Sequence, residues 1–201
     1  GLLLIGFTSV PSYGATTVSY NSIDDALKVL KVAPESRTGY VRTKFKHWVN
    51  SDGNKNGCDA RKSAIIRDAL VKPTIEKGCS LKGGKWLSIY DNVEVTEAGK
   101  LDVDHMVPLA EAWDSGASVW TAEERQMYAN DLTDPRHLIS VTAASNRSKS
   151  DQDPAEWLPT NKSYQCTYLA NWVSIKIRWS LTVDEKELTA TRLIGWEPEN
   201  D

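Results

Sequence analysis

The sequence predicts a single α+β domain. Three observations carry that expectation. Apolar residues recur at helical spacing in several segments, short alternating runs lie between them, and no linker-like stretch interrupts the pattern. The chain has 201 residues, enough to bury one sizeable core without help from metals or cross-links. Its eight tryptophans, spread from Trp48 to Trp196, supply aromatic core material along most of that length. No internal repeat or low-complexity tract points to a solenoid or a disordered array.

The elements follow in order. Residues 1–15, GLLLIGFTSVPSYGA, are apolar and uncharged from Leu2 to Val10 and end in the small pair Gly14-Ala15, like a signal-peptidase site. This reads as the remnant of a secretory signal ahead of a domain at 16–201, and predicts an exported protein. The competing reading is a buried N-terminal strand. A membrane span needs about twenty apolar residues, so no membrane partner is expected from this run. Ser22-Ile-Asp-Asp25 resembles a capping box for a helix reaching Val32, just before Pro34. A helix over 61–71 is expected with Ala64, Ile65, Ala69 and Leu70 on one face. Trp86 to Tyr90 and Val93 to Thr96 read as strands around the turn Asp91-Asn92.

Leu101 to His105, LDVDH, alternates apolar and polar. A strand here places Asp102 and Asp104 on one face and His105 on the other. A short helix begins at Glu111 to Trp113, and Thr121-Ala-Glu-Glu124 is a second capping box, opening a helix to Asn130. HLISVT, 137–142, is a further strand, and AASNRSKSDQDP from Ala143 reads as a helical turn or more. Tyr164, Tyr168, Trp172, Ile175 and Trp179 step at helical spacing, as core rather than as a base-stacking platform. Thr182-Val-Asp-Glu185 caps a last helix.

Three cysteines in an exported protein imply one disulfide and one free thiol by the simplest arithmetic. Cys58 and Cys79 flank a single predicted helix and are the preferred pair, leaving Cys166. The formal net charge of −3 argues against nucleic-acid binding; its distribution argues for it. Residues 37–86 hold 12 Lys and Arg against 4 Asp and Glu, whereas 87–135 hold 2 against 11. A basic segment beside an acidic one suits a phosphate-binding surface next to a cation-binding cleft. Two solvated faces of opposite sign are the plainer alternative.

The chemistry-bearing residues are Asp104-His105 on one strand, His137 at the start of another, and Asn146 nine residues later, followed by Arg147 and Lys149. A neutral imidazole is a base near pH 7. A carboxylate and an amide oxygen are hard ligands suited to Mg²⁺. Those are the requirements of phosphodiester hydrolysis. A second candidate cation loop, SDGNKNGC, matches the start of an EF-hand at Asp52, Asn54 and Asn56-Gly57. Its twelfth position is Ser63 rather than Glu, so a polar turn is the better reading.

DVDHMVPLAEAW, YANDL and HLISVTAASNRSKSDQDPAEWLP together resemble the HNH (ββα-metal) endonucleases, closest to a secreted bacterial HNH family. GYVRTKFKHW and GCDAR resemble the segment those proteins carry upstream, so the similarity spans about 37–190. The resemblance implies a ββα-metal core at about 100–155 with surrounding helices. It assigns the catalytic set to His105, as general base, and His137, in the middle position where many members carry Asn and where the role is to hold the first histidine's loop. It makes Asp104 and Asn146 the metal ligands, with Mg²⁺ first and Mn²⁺ or Ca²⁺ as alternatives. Arg147 and Lys149, with Arg42 and Arg61 of the basic segment, become the contacts to substrate. The implied protein is a secreted, monomeric, metal-dependent endonuclease acting on DNA, and on RNA as a second polymer, with little sequence preference. The rival is a non-catalytic extracellular nucleic-acid-binding domain on the same scaffold.

Overall fold

The structure is a computed structural model and describes residues 23–50 and 57–195. The expected signal remnant, the Ser22 cap and most of the Asp52–Gly57 loop lie outside the described residues.

Among the described residues the first element is the short helix α1 (Ile23–Leu27), and no long regular element precedes α2 (Ala60–Asp68). Asp59 caps α2 by accepting the Lys62 amide at 2.7 Å. Two small antiparallel ladders follow, β1 (Thr74–Glu76) with β2 (Ser80–Lys82), and β3 (Trp86–Ser88) with β4 (Val93–Val95). β5 (Leu101–His105) leads into α3 (Leu109–Asp114) and α4 (Ala122–Ala129). The capping box expected at Thr121 is present: its backbone N–H donates to Glu124 Oε2 at 2.7 Å, and its hydroxyl accepts the Glu124 amide at 3.1 Å. β6 (Leu138–Thr142) and α5 (Ala143–Lys149) come next, then α6 (Gln165–Arg178) and α7 (Glu185–Gly195). The α+β expectation is met. The cap of α7 differs from the expected one: Asp184 accepts the Glu187 amide, while the Thr182 hydroxyl donates to the Ser115 carbonyl.

β5 and β6 pair antiparallel in the register Asp102↔Val141, Asp104↔Ile139 and His105↔Leu138. Period-two alternation therefore puts Asp102, Asp104, Ile139 and Val141 on one face, and Leu101, Val103, His105 and Leu138 on the other. The two faces meet different helices. Leu101, Val103 and Leu138 pack with Ala60, Ala64 and Ile65 of α2. α2 also fastens the edge of β6: Arg67 donates to the Leu138 carbonyl and Asp68 accepts the Ser140 amide. Ile139 and Val141 belong to the larger core, with Tyr90, Tyr168 and Trp172. Tyr168, Trp172 and Ile175 of α6 are fully buried there, so this aromatic series is core. A third cluster joins α1, α6 and α7 through Leu27, Val173 and Leu188. Among the described residues no helix is long and apolar enough to cross a membrane.

Cys58 and Cys79 form a disulfide with a Cα–Cα distance of 5.1 Å, as the sequence predicts, and Cys166 is a free, exposed thiol.

Candidate active site on the strand–strand–helix unit

α5 lies over the carboxylate face of β5, so residues one helical turn apart meet residues two apart on the strand. Lys149 meets Asp104, and Asn146 meets Asp102. Lys149 Nζ donates to Asp104 Oδ2 at 2.5 Å and to the carbonyls of His105 and Met106 at 2.8 and 2.9 Å. Tyr90 donates its hydroxyl to the same Oδ2, also at 2.5 Å. The Lys149 side chain is wholly enclosed, ringed by Tyr90, Tyr168 and Trp172 with centroids 5.8 to 5.9 Å from Nζ. Burial pushes the Asp104 carboxyl up and the Lys149 ammonium down, and each partner's charge pulls the other back toward the ionised form. Among the described residues Asp104 Oδ1 accepts no hydrogen bond.

Asp102 is more open, its side chain 35% exposed. The Asn146 amide Nδ2 donates to its Oδ2 at 3.4 Å. Arg61 sits 3.8 Å from its Oδ1 and donates to the Leu101 carbonyl at 2.7 Å.

The two histidines lie at the other side of the strand end and share one support. The last carbonyls of a helix have no intrahelical partner, and two of those at the end of α4 accept imidazole N–H groups. His105 Nε2 is 2.9 Å from the Ala129 carbonyl, and His137 Nε2 is 2.7 Å from the Tyr128 carbonyl. Carbonyls only accept, so both rings carry their proton on Nε2 and hold the lone pair on Nδ1. Among the described residues the buried His137 Nδ1 has no hydrogen-bond partner, and the His137 carbonyl accepts the Met106 amide at 2.8 Å. Burial drives both imidazoles toward the neutral form. His137 falls to about 4, with Asp131 pulling it back upward. His105 lies well below its ordinary value, through burial first and then the neighbouring His137, with Arg42 and His47 adding to the effect.

The structure thus brings together three pairs: Asp104 with Lys149, Asp102 with Asn146, and His105 with His137. Among the described residues no hydrogen bond joins His105 to Asn146. Of the expected substrate contacts, Arg42 and Arg147 are exposed. Lys149 is not at the surface, because its ammonium is the counter-charge of Asp104. Arg61 is largely committed to the edge of β5. Asp102, outside the expected ligand pair Asp104 and Asn146, stands on the strand face legible from the alternation in LDVDH and meets Asn146 there. Asp102, Asp104 and Asn146 line one face and carry oxygens of the hard type that divalent cations take, although Asn146 turns its Nδ2 toward Asp102.

The chain belongs to the family of GmrSD restriction endonuclease C-terminal domains, whose model matches residues 58–190. That span contains β5, β6, α5 and both histidines. A fungal relative from Arthroderma benhamiae, described as an uncharacterized secreted protein, is 39% identical over 173 residues, covering 86% of this chain and 82% of its own. The sequence motifs place the likeness among bacterial proteins, whereas this relative is fungal. No solved structure matches.

Proposed function

We propose that the protein is a secreted endonuclease that hydrolyses phosphodiester bonds of DNA, with RNA as a second substrate, and that the β5–β6–α5 unit is a ββα-metal core. The observation that carries this reading is β5 itself, which ends in a neutral imidazole with a defined tautomer and carries two carboxylates on its other face, one of them met by the Asn146 amide. His105 Nδ1 takes the proton of the attacking water, and the Ala129 carbonyl keeps Nε2 protonated so that Nδ1 stays the basic atom. Asp104, Asp102 and Asn146 would hold the cation, Mg²⁺ first. When bound, it would neutralise phosphate charge and stabilise the leaving oxygen. His137 holds the start of β6 against α4 and does not reach the substrate. Exposed Arg42 and Arg147 contact the phosphate backbone, which carries no sequence information, so cleavage is nonspecific and salt-sensitive. Secretion is part of the same reading, supported by the disulfide and by the description of the fungal relative.

The test is plasmid cleavage with Mg²⁺, Mn²⁺ or Ca²⁺, with and without EDTA, beside a folded His105→Ala variant. Cleavage by the parent alone, abolished by EDTA, is the expected result. Cleavage that survives in His105→Ala sinks the role of the base.

One observation favours a second reading, a nucleic-acid-binding domain without turnover. Asp104 is already neutralised by Lys149, so the scaffold stands without a cation. That reading predicts DNA binding and no cleavage under any metal.

A further inference from the structure

Among the described residues the His105 ring makes one hydrogen bond, at Nε2, and a single bond at one edge leaves the ring plane free to tilt. The plane is set by what lies against its faces. The Trp48 indole stacks on it with ring centroids 5.3 Å apart and planes at 28°. Tyr128 lies on a nearly parallel plane at 6.4 Å and 9°, and His137 meets it edge-on at 6.0 Å. Together these leave His105 5% exposed.

Trp48 does not arrive there by ordinary strand or helix geometry. Its φ is +58°, a region costly for a bulky side chain and occupied only when neighbours enforce it. Here the enforcement comes from both sides. The Asn130 side chain accepts the Val49 amide through Oδ1 at 3.0 Å and donates from Nδ2 to the Lys46 carbonyl at 2.8 Å. The Val49 carbonyl in turn accepts the Ala60 amide at 3.0 Å. Asn130 directly follows Ala129, whose carbonyl holds the edge of the same imidazole. Two consecutive residues at the end of α4 therefore fix His105 twice, one at its edge and one, through Trp48, at its face.

We propose that Trp48 is a positioning residue for His105, held in place by Asn130. The proposal rests on the nuclease reading for its consequence in catalysis. Its structural part, the control of the imidazole plane, stands apart from it. A general base must present its lone pair along one direction, and small misplacements cost heavily. The indole face also lies where it would stabilise the imidazolium formed once His105 has taken the proton.

The test compares the parent with Trp48→Phe, Trp48→Ala and Asn130→Ala, each shown to fold by circular dichroism and thermal melting. The first readout is the long-range ¹H–¹⁵N NMR spectrum of the His105 ring. In the parent it should show the Nε2–H tautomer and a ring-current shift from the indole. Trp48→Ala should lose that shift and mix tautomers, Trp48→Phe should keep the tautomer, and Asn130→Ala should fall between them. The second readout is steady-state cleavage of a short duplex. Trp48→Ala should lower kcat by about 10- to 100-fold with KM little changed, and Trp48→Phe should recover most of it. A folded Trp48→Ala variant with the parent's His105 spectrum overturns the proposal whatever the enzyme does. A rise in KM at constant kcat also overturns it, because Trp48 would then be a surface for the substrate's bases. A parent that cuts nothing defeats the nuclease reading instead, and the NMR comparison still decides the placement of the ring.

Discussion

Lys149 and Lys176 are both fully enclosed, and both lie near the ring of Trp172, at 5.8 and 5.5 Å from its centroid. Their partners differ. Lys149 faces one carboxylate, Asp104, and two carbonyls. Lys176 donates to Glu111 Oε1 and Glu187 Oε2, both at 2.7 Å, and to the Thr182 carbonyl at 2.9 Å. Glu35 completes this second group, since ligand oxygens of Glu35, Glu111 and Glu187 all lie within 4.8 Å of one another. One ammonium cannot balance three carboxylates. Burial, followed by the charge of Glu111, pushes the Glu35 carboxyl up to about 8. Burial lifts Glu187 to about 7, against the pull of Lys176. The pair beside the candidate site is thus balanced in charge, whereas the group joining α3, α6 and α7 balances only by holding protons. The first should be insensitive to mild pH change and the second should not.

The largest effect should come from unbalancing the first group. Asp104→Asn leaves the Lys149 ammonium buried without a counter-charge, at an expected cost of about 3–5 kcal/mol in urea denaturation at pH 7. A cost below about 1 kcal/mol would mean that water reaches Nζ and the pair is not sealed. The Cys58–Cys79 cross-link lies outside both groups and calibrates the scale. Cys58→Ser should lose about 2–4 kcal/mol, measured against the oxidised parent.

The second group is tested through pH. Unfolded, Glu35 and Glu187 release their protons near 4.5; folded, they hold them to about 8 and 7. The folded state then binds more protons, and stability declines as pH rises through that range. His137 acts in the opposite sense, with 6.5 as its ordinary value and about 4 when folded, so its burial makes stability rise with pH between those values. The effects oppose one another below 6.5, which leaves pH 6.5 to 8 as the window of falling stability. Glu35→Gln should flatten that fall and raise Tm at pH 8 by about 2–4 °C, modest because Glu35 is only half-buried. An unchanged slope would show that Glu35 carries no extra proton. Removing a carboxylate therefore stabilises one group and destabilises the other. The smallest effect should be at the exposed cap of α4, where Thr121→Ala costs about 0.5–1 kcal/mol in thermal melts.

Patterns local in the chain are legible in the sequence itself. LDVDH declares both its strand and its two faces, Thr121 and Glu124 declare a helix start, and Cys58 and Cys79 declare their pairing across one helix. The β1–β2 ladder is not legible, because Thr74–Glu76 is exposed throughout and shows no alternation. Nor is the burial of Lys149. AASNRSKSD is polar all round, and nothing in it separates a lysine in solvent from one drawn into the core by a carboxylate 45 residues earlier. Trp48 is hidden for the same reason. Its contact with His105 depends on an asparagine more than 80 residues away, and no periodicity within the 39–48 segment encodes it.

The end of α4 has a consequence for how this molecule fails. Helix termini are the first parts of a helix to open, since their last carbonyls are held by little. Here the carbonyls of Tyr128 and Ala129, with the Asn130 side chain, are the common mooring of both imidazoles and of the Trp48 loop. Unwinding one turn would set all three adrift and would also draw Tyr128 and Ala129 out of the core they share with α6. Loss of the site is therefore tied to loss of packing at that end of α4. Amide exchange at Asn130 and Asp131, whose N–H groups bond back to Met127 and Tyr128, would time that opening.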